Sequence, residues 1–211
     1  MTAKEFPEAF FVTGTDTGIG KTVVSAMLTI GLGATYWKPV QSGLEEETDT
    51  EFVSRVTGLD EQHIVSEQFR LTEPLSPHAS AAIDGISIAL DDFRLPEFST
   101  GHLVVEGAGG VLVPLNEEEM IIDLIRHLDL PALLVARSEL GTLNHTFLSL
   151  EALRSRDIPV LGVILNGPKN ESNRKAIEQY GEVEVLAELE PLEEINADRL
   201  ERKFNDFFNN T

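Results

Sequence analysis

The sequence predicts an α/β fold: a doubly wound, mostly parallel sheet with helices on both faces, of the P-loop NTPase type. Three observations predict it. Short apolar runs alternate with longer amphipathic stretches along the whole chain. Several of these runs ("HLVVE" from His102, "ALLVA" from Ala132, "VLGVIL" from Val160) are apolar on both sides, as buried parallel strands must be. The first run passes through a glycine-rich turn into Gly20-Lys21-Thr22 at the head of a helix.

The elements follow in order. Strand 10–13 precedes the glycine-rich turn, and helix 21–32 follows it. Strand 35–38 reads "TYWK", aromatic and β-branched. Helix 49–57 has Thr48 where a capping hydroxyl belongs and Asp49 in its first turn. Helix 77–82 opens on Pro77, strand 102–106 ends on Glu106, and helix 118–128 carries a run of Ile and Leu. Strand 132–136, helix 142–155, strand 160–166, helix 171–180 and strand 184–187 continue the alternation. Helix 197–208 sets Leu200, Phe204, Phe207 and Phe208 on one face. Its flanking charges are balanced rather than basic, so this face is expected on the body of the protein, not on a membrane. No repeat, low-complexity tract or linker interrupts the chain, which is read as one domain over residues 1–211. Right-handed crossovers then place ligands beyond the carboxyl ends of the strands.

Composition narrows the function. Acidic residues outnumber basic ones 36 to 16, for a net charge of −20. Such a field disfavours nucleic acid and anionic membranes as partners. An anionic nucleotide therefore needs a locally positive site. With no cysteine, disulfides, thiolate metal sites and a cysteine nucleophile are excluded. No apolar run approaches the ~20 residues of a membrane span, and "MTAKEFPEAF" lacks a signal-peptide layout. A cytoplasmic protein is expected.

The chemistry-bearing segments each follow a strand. In "FFVTGTDTGIGKTVVSAM", the backbone N–H groups of the turn and helix start face phosphate, Lys21 reaches the β/γ oxygens and the Thr22 hydroxyl can ligate Mg²⁺. Five residues separate Gly14 from Gly20, one more than the common P-loop has. "YWKPVQSG" places Lys38 and Ser42 at a strand end: either a solvated loop lysine or, beside a P-loop, a second cation for a transferred phosphoryl group. "LVVEGAGG" ends a buried strand on Glu106, where a carboxylate, usually Asp, holds Mg²⁺ or its waters. Gly107, Gly109 and Gly110 leave backbone N–H groups open; the plain alternative is a strand-ending turn. Asp49 is either a helix-capping charge or a metal ligand. Asn166 in "ILNGPKN" suits an adenine edge, and equally an ordinary turn. His145 in "LGTLNHTF" is read as packed or capping rather than catalytic, and the leucines at 148, 150 and 153 as core or interface.

Taken together, these segments resemble the dethiobiotin synthetase family. The matches are "VTGTDTGIGKT", "KPVQSG", "SPH" at Ser76, "VEGAGG", "LGTLNH" and "NGP", spread from residue 11 to about residue 168. The longer P-loop spacing is itself that family's form; "LAELEPLEEI" in the last forty residues fits it only loosely. The resemblance implies an ATP-dependent cyclo-ligase that carboxylates diaminopelargonic acid with CO₂, phosphorylates the carbamate and closes a ureido ring. It implies Lys21 on the phosphates, with Gly18, Ile19, Gly20, Val23, Gly107 and Gly109 around the nucleotide. It implies Thr22, Asp49 and Glu106 on Mg²⁺, and Thr17, Lys38, Ser42 and Gly109 around the carbamate and amines. Asn166 would read adenine. Gly141, Thr142 and Asn144 would bind the substrate carboxylate from the neighbouring subunit of a homodimer. A second class shares the fold, the dimeric partitioning or positioning ATPases. They carry an extra lysine early in the P-loop, where this chain has Asp16. Amidase-linked ligases of larger cofactors are disfavoured by the missing cysteine.

Overall fold

The structure, a computed structural model, describes residues 1–209. Strand β1 (Ala9–Gly14) leads to α1 (Lys21–Leu32), β2 (Thr35–Trp37), β3 (Val40–Ser42) and α2 (Asp49–Thr57). Strands β4 (Ile64–Val65) and β5 (Phe69–Leu71) precede α3 (Pro77–Asp84), β6 (Leu103–Glu106) and α4 (Ile121–His127). The chain closes with β7 (Ala132–Arg137), α5 (Thr142–Arg154), β8 (Val160–Asn166), α6 (Glu171–Gly181), β9 (Val185–Leu189) and α7 (Ala197–Phe208).

Seven strands form one sheet in the order β4-β2-β6-β1-β7-β8-β9, while β3 and β5 pair separately. The pairings of these strands are parallel. Alternation along each strand sends side chains to two cores. Phe10, Val12, Tyr36, Val104, Leu133 and Val135 face α1, α2 and α7. Phe11, Trp37, Leu103, Val105 and Ala132 face α3 and α4, and Leu134, Ala136, Val163 and Leu165 face α5 and α6. The expected doubly wound sandwich is therefore the observed one.

β6 inserts between β2 and β1, pairing Val104 with Tyr36 on one side and with Phe10 on the other. This insertion brings the carboxyl ends of β1, β2 and β6 side by side, so the segments leaving them share one mouth. The position of α1 is fixed at its far end by α7. Phe204 is fully buried against Gly31, where a Cβ would stand 2.0 Å from the ring. Phe6, Phe10 and Phe208 complete that aromatic cluster. The apolar face of the last helix thus packs on the body. Among the described residues no helix is long and apolar enough to cross a membrane.

Two departures from expectation, a late helix start and three short strands that were not expected, have local reasons. The helix expected from residue 118 begins at Ile121, because the Asn116 side chain accepts hydrogen bonds from the N–H groups of Glu118 and Glu119 and holds them in a turn. Strands β3, β4 and β5 are two or three residues long, too short to carry a period.

Candidate active site

The turn after β1 is shaped by glycines whose backbone conformation disfavours a side chain. Gly18 and Gly20 have φ of 69° and 89°. A Cβ on Gly20 would stand 2.0 Å from the Asn166 amide nitrogen, and that nitrogen donates to the Ile19 carbonyl at 2.9 Å. Ile19 itself is buried beneath Gly14. The first intrahelical bond of α1 runs from Val24 N–H to the Gly20 carbonyl at 3.1 Å, so the N–H groups of Lys21, Thr22 and Val23 have no helical acceptor and are available to an anion. Lys21, 7% exposed, folds back onto the Asp16 carbonyl at 2.9 Å.

Beside the turn lies a ring of charges. Lys38 Nζ contacts Asp49 Oδ2 at 2.6 Å and Glu106 Oε1 at 3.3 Å, and donates to the Gly107 carbonyl at 3.1 Å. All three ammonium hydrogens have acceptors. The Thr22 hydroxyl lies 2.8 Å from Asp49 Oδ1 and 3.0 Å from Glu106 Oε1. Tyr36, at the other side of Glu106, donates its hydroxyl to Oε2 at 3.0 Å. Lys38 and Glu106 are 3% and 1% exposed, so charges of either sign persist here only because they are paired. Burial works against the Lys38 ammonium, but Glu106 and Asp49 together outweigh it and raise its pKa. Burial likewise opposes ionised Asp49, yet the Lys38 charge and the bonds from Lys38 and Thr22 hold its pKa below the usual range. Burial first, then the neighbouring carboxylates, push the Tyr36 phenol well above its ordinary value.

The oxygen set fits a hard divalent cation. Thr22 has one proton to offer two carboxylate oxygens, leaving a cluster rich in acceptors. Among the described residues no three His, Cys, Asp or Glu gather as a complete metal cage. Two carboxylates and a hydroxyl completed by water and phosphate oxygens are the usual complement for Mg²⁺.

These groups line a cavity of about 610 Å³, together with Thr17, Gly18, Gly20, Lys21, Ser42 and Gly109. The Ser42 hydroxyl is buried without a protein partner. A buried cation, a nucleotide-type turn and a free hydroxyl on one wall suit phosphoryl transfer to a small polar acceptor.

A family model described as an AAA domain matches residues 8–199. The chain is 53% identical over 193 residues to the ATP-dependent dethiobiotin synthetase BioD of Brucella ovis, covering 92% of this chain and 91% of that protein. It is 52% identical over 193 residues to the protein of that name from Brucella abortus strain S19, with the same coverage. The chain belongs to the dethiobiotin synthetase family. The septum site-determining protein MinD complexed with Mg-ADP, from Pyrococcus horikoshii OT3, shares its fold with a TM-score of 0.55 at 15% identity, over 94% of this chain and 95% of that one.

Other residues that the dethiobiotin synthetase resemblance singled out lie outside the cavity wall, Gly107 among them: its N–H, expected open to a ligand, is given to the Val12 carbonyl at 3.0 Å. Asn166 is joined to the turn through Ile19 and keeps its amide oxygen and second N–H free of that bond. Gly141, Thr142 and Asn144 open α5 away from the cavity. Gly141, with φ of 94°, and Asn144 are exposed, whereas Thr142 is buried and gives its hydroxyl to the Arg137 carbonyl at 2.6 Å. Three residues were not foreseen. Tyr36 shares a strand face with Lys38 two residues on, a signal available in the alternation. Gln41 accepts from Asp49 N–H at 3.1 Å and orients it. Arg137, at the end of β7, meets the Asp16 carboxylate at 2.9 Å across the turn; only its strand-end position could have pointed to it.

Burial lowers the Lys21 ammonium to about 8; the Lys38 charge adds to this, while Glu106, Asp49 and Asp16 pull back. A lysine with a lowered pKa is charged only below that value. We expect ADP affinity, measured by calorimetry with EDTA present, to be flat below about pH 8 and then to fall by up to about tenfold per pH unit. Lys21→Arg, charged throughout, should bind ADP without this limb; a limb that survives assigns it to another group.

Proposed function

We propose that this chain acts as an ATP-dependent dethiobiotin synthase. The carrying observation is buried Lys38, paired with both Asp49 and Glu106 one step from the phosphate-binding turn. Diaminopelargonic acid and CO₂ form a carbamate on one amine. A carbamate oxygen attacks the γ-phosphorus of ATP, the bond to the ADP oxygen breaks, and a carbamic–phosphoric anhydride results. The second amine attacks the carbamoyl carbon, closing the ureido ring and expelling phosphate.

The residues serve this sequence by placement and charge. Lys21 leaves the Asp16 carbonyl for the β/γ oxygens, and the N–H groups of Gly20, Lys21, Thr22 and Val23 hold the chain of phosphates. Lys38 steadies the carbamate and the phosphoryl group in flight. The unpartnered Ser42 hydroxyl and Thr17 orient the carbamate and amines. Thr22, Asp49 and Glu106 would hold Mg²⁺, which supplies further neutralisation of the phosphates when bound. Asn166 reads adenine with the groups left by its bond to Ile19. No nucleophilic side chain is needed.

We also propose a homodimer working in the cytoplasm, with Gly141, Thr142 and Asn144 of one subunit completing the other's carboxylate site. Leu112, Leu140 and Leu148 support this: they are 49%, 101% and 56% exposed, Leu140 just before α5 and Leu112 beside Leu148 in its middle, and suit cover by a second copy. Thr142 contributes through its backbone, its hydroxyl being bonded internally. A scaffold-type ATPase is disfavoured by Asp16, whose carboxylate is held by Arg137 and by Thr17 N–H.

The test is direct. With ATP, Mg²⁺ and bicarbonate, ADP release should depend on added diaminopelargonic acid, and dethiobiotin should appear in equal amount. Release indifferent to the diamine would overturn the reading.

A further inference from the structure

We propose that Tyr36 is a positioning residue for the metal-facing oxygen of Glu106. The inference rests on the assignment of Thr22, Asp49 and Glu106 to Mg²⁺ above.

At this strand end P-loop proteins usually place Asp. Glu106 has one more rotatable bond, so its carboxylate can turn in ways that Asp cannot. The structure supplies a restraint for that freedom. Glu106 Oε1 receives Thr22 and Lys38, at 3.0 and 3.3 Å, and Oε2 receives the Tyr36 hydroxyl at 3.0 Å. The two oxygens are thereby made different: one faces the Thr22–Asp49 cluster and the other is turned back into the sheet.

The backbone fixes this arrangement. Tyr36 is opposite Val104 in the β2–β6 pairing, so Glu106 lies two residues further along β6, level with Lys38. Tyr36 and Lys38 thus take the carboxylate from one strand face. Tyr36 is fully buried, which rules out water as a substitute partner without repacking. Its ring fills the core beside α1 and α2, and a phenylalanine would do that equally well. The hydroxyl is what the packing does not require. Removing it leaves Oε2 buried without a donor, and the carboxylate gains by rotating toward another one, taking Oε1 out of register with Thr22.

The test uses the full chain and Tyr36→Phe. Mn²⁺ uptake in saturating ADP is followed by the loss of the free-ion electron-paramagnetic signal. Weakening by about tenfold or more is expected, as for other residues that orient a metal ligand, with ADP affinity in EDTA unchanged within about twofold. In turnover, the Mg²⁺ requirement should rise while KM for the diamine stays constant. Equal Mn²⁺ affinity in folded Tyr36→Phe and parent overturns the role of Tyr36 alone. Absence of uptake by the parent overturns the metal assignment and this inference with it. A second measurement does not depend on how the variant folds. With 3-fluorotyrosine at both tyrosines, the Tyr36 ¹⁹F resonance should move when Mg²⁺ is added to the ADP complex. That of Tyr180, 71% exposed, should stay. A Tyr36 resonance that does not move also overturns the proposal.

Discussion

Lys38→Ala should lower turnover by about 10³-fold or more while changing ADP affinity less than about fivefold. The size follows from what Lys38 touches. It is the cation nearest both Asp49 and Glu106, and charge placed where a transferred group passes through its transition state accounts for factors of 10²–10⁵ in such sites. Nucleotide binding is spared because Lys21 and the α1 N–H groups hold the phosphates without it. The fold is also affected. The variant leaves the fully buried Glu106 carboxylate without its cation, and breaking such a pair costs about 3–5 kcal/mol. Asp49 retains a third of its side-chain exposure, so water screens part of the loss and the lower end applies. Urea unfolding and single-turnover phosphate release are the two measurements. A variant that turns over like the parent would remove Lys38 from the chemistry.

Gly20→Ala is expected to abolish measurable ATP binding, a loss of at least about 100-fold. Two effects coincide. A φ of 89° disfavours any residue with a Cβ, by roughly 1–2 kcal/mol. The new methyl would also meet the Asn166 amide nitrogen at 2.0 Å. Asn166 can move only by giving up the Ile19 carbonyl, the contact that ties β8 to the phosphate turn. Gly20→Ala with Asn166→Ala removes the collision and keeps the backbone strain. Calorimetry should show part of the melting temperature regained, with nucleotide binding still lost to the strain at residue 20 and to the missing Asn166 amide together. Binding restored in the double variant would show that collision, not backbone conformation, was the whole effect.

Much of this architecture could be read from residues alone, for identifiable reasons. β1, β6, β7 and β8 are apolar on both faces because helices cover both, and that pattern has few other readings. The turn at Gly20-Lys21-Thr22 is legible because its chemistry needs those residue types in sequence. Asp49 was ambiguous, since a first-turn carboxylate serves a helix cap as well as a metal. The Thr48–Glu51 capping box does the capping and leaves Asp49 to Lys38 and Thr22. What escaped reading depends on strand order. Tyr36 matters because β6 lies next to β2, and Arg137 because β7 lies next to β1; neither neighbour is specified by local pattern. Strands β3, β4 and β5 escaped because two or three residues carry no period.

The insertion of β6 also dictates when the site can exist during synthesis. β1 and β2 leave the ribosome long before residue 103, and the slot between them stays open until β6 arrives. Until then Lys38 has no Glu106, and two strand edges stand unpaired. Contacts of such long sequence separation make folding slow and expose intermediates to aggregation. Because β6 carries Glu106 at its end, closing the slot and completing the charge ring are one event. A nucleotide analogue that needs the finished ring would report the closing of this slot, and would draw chains toward the closed state by mass action.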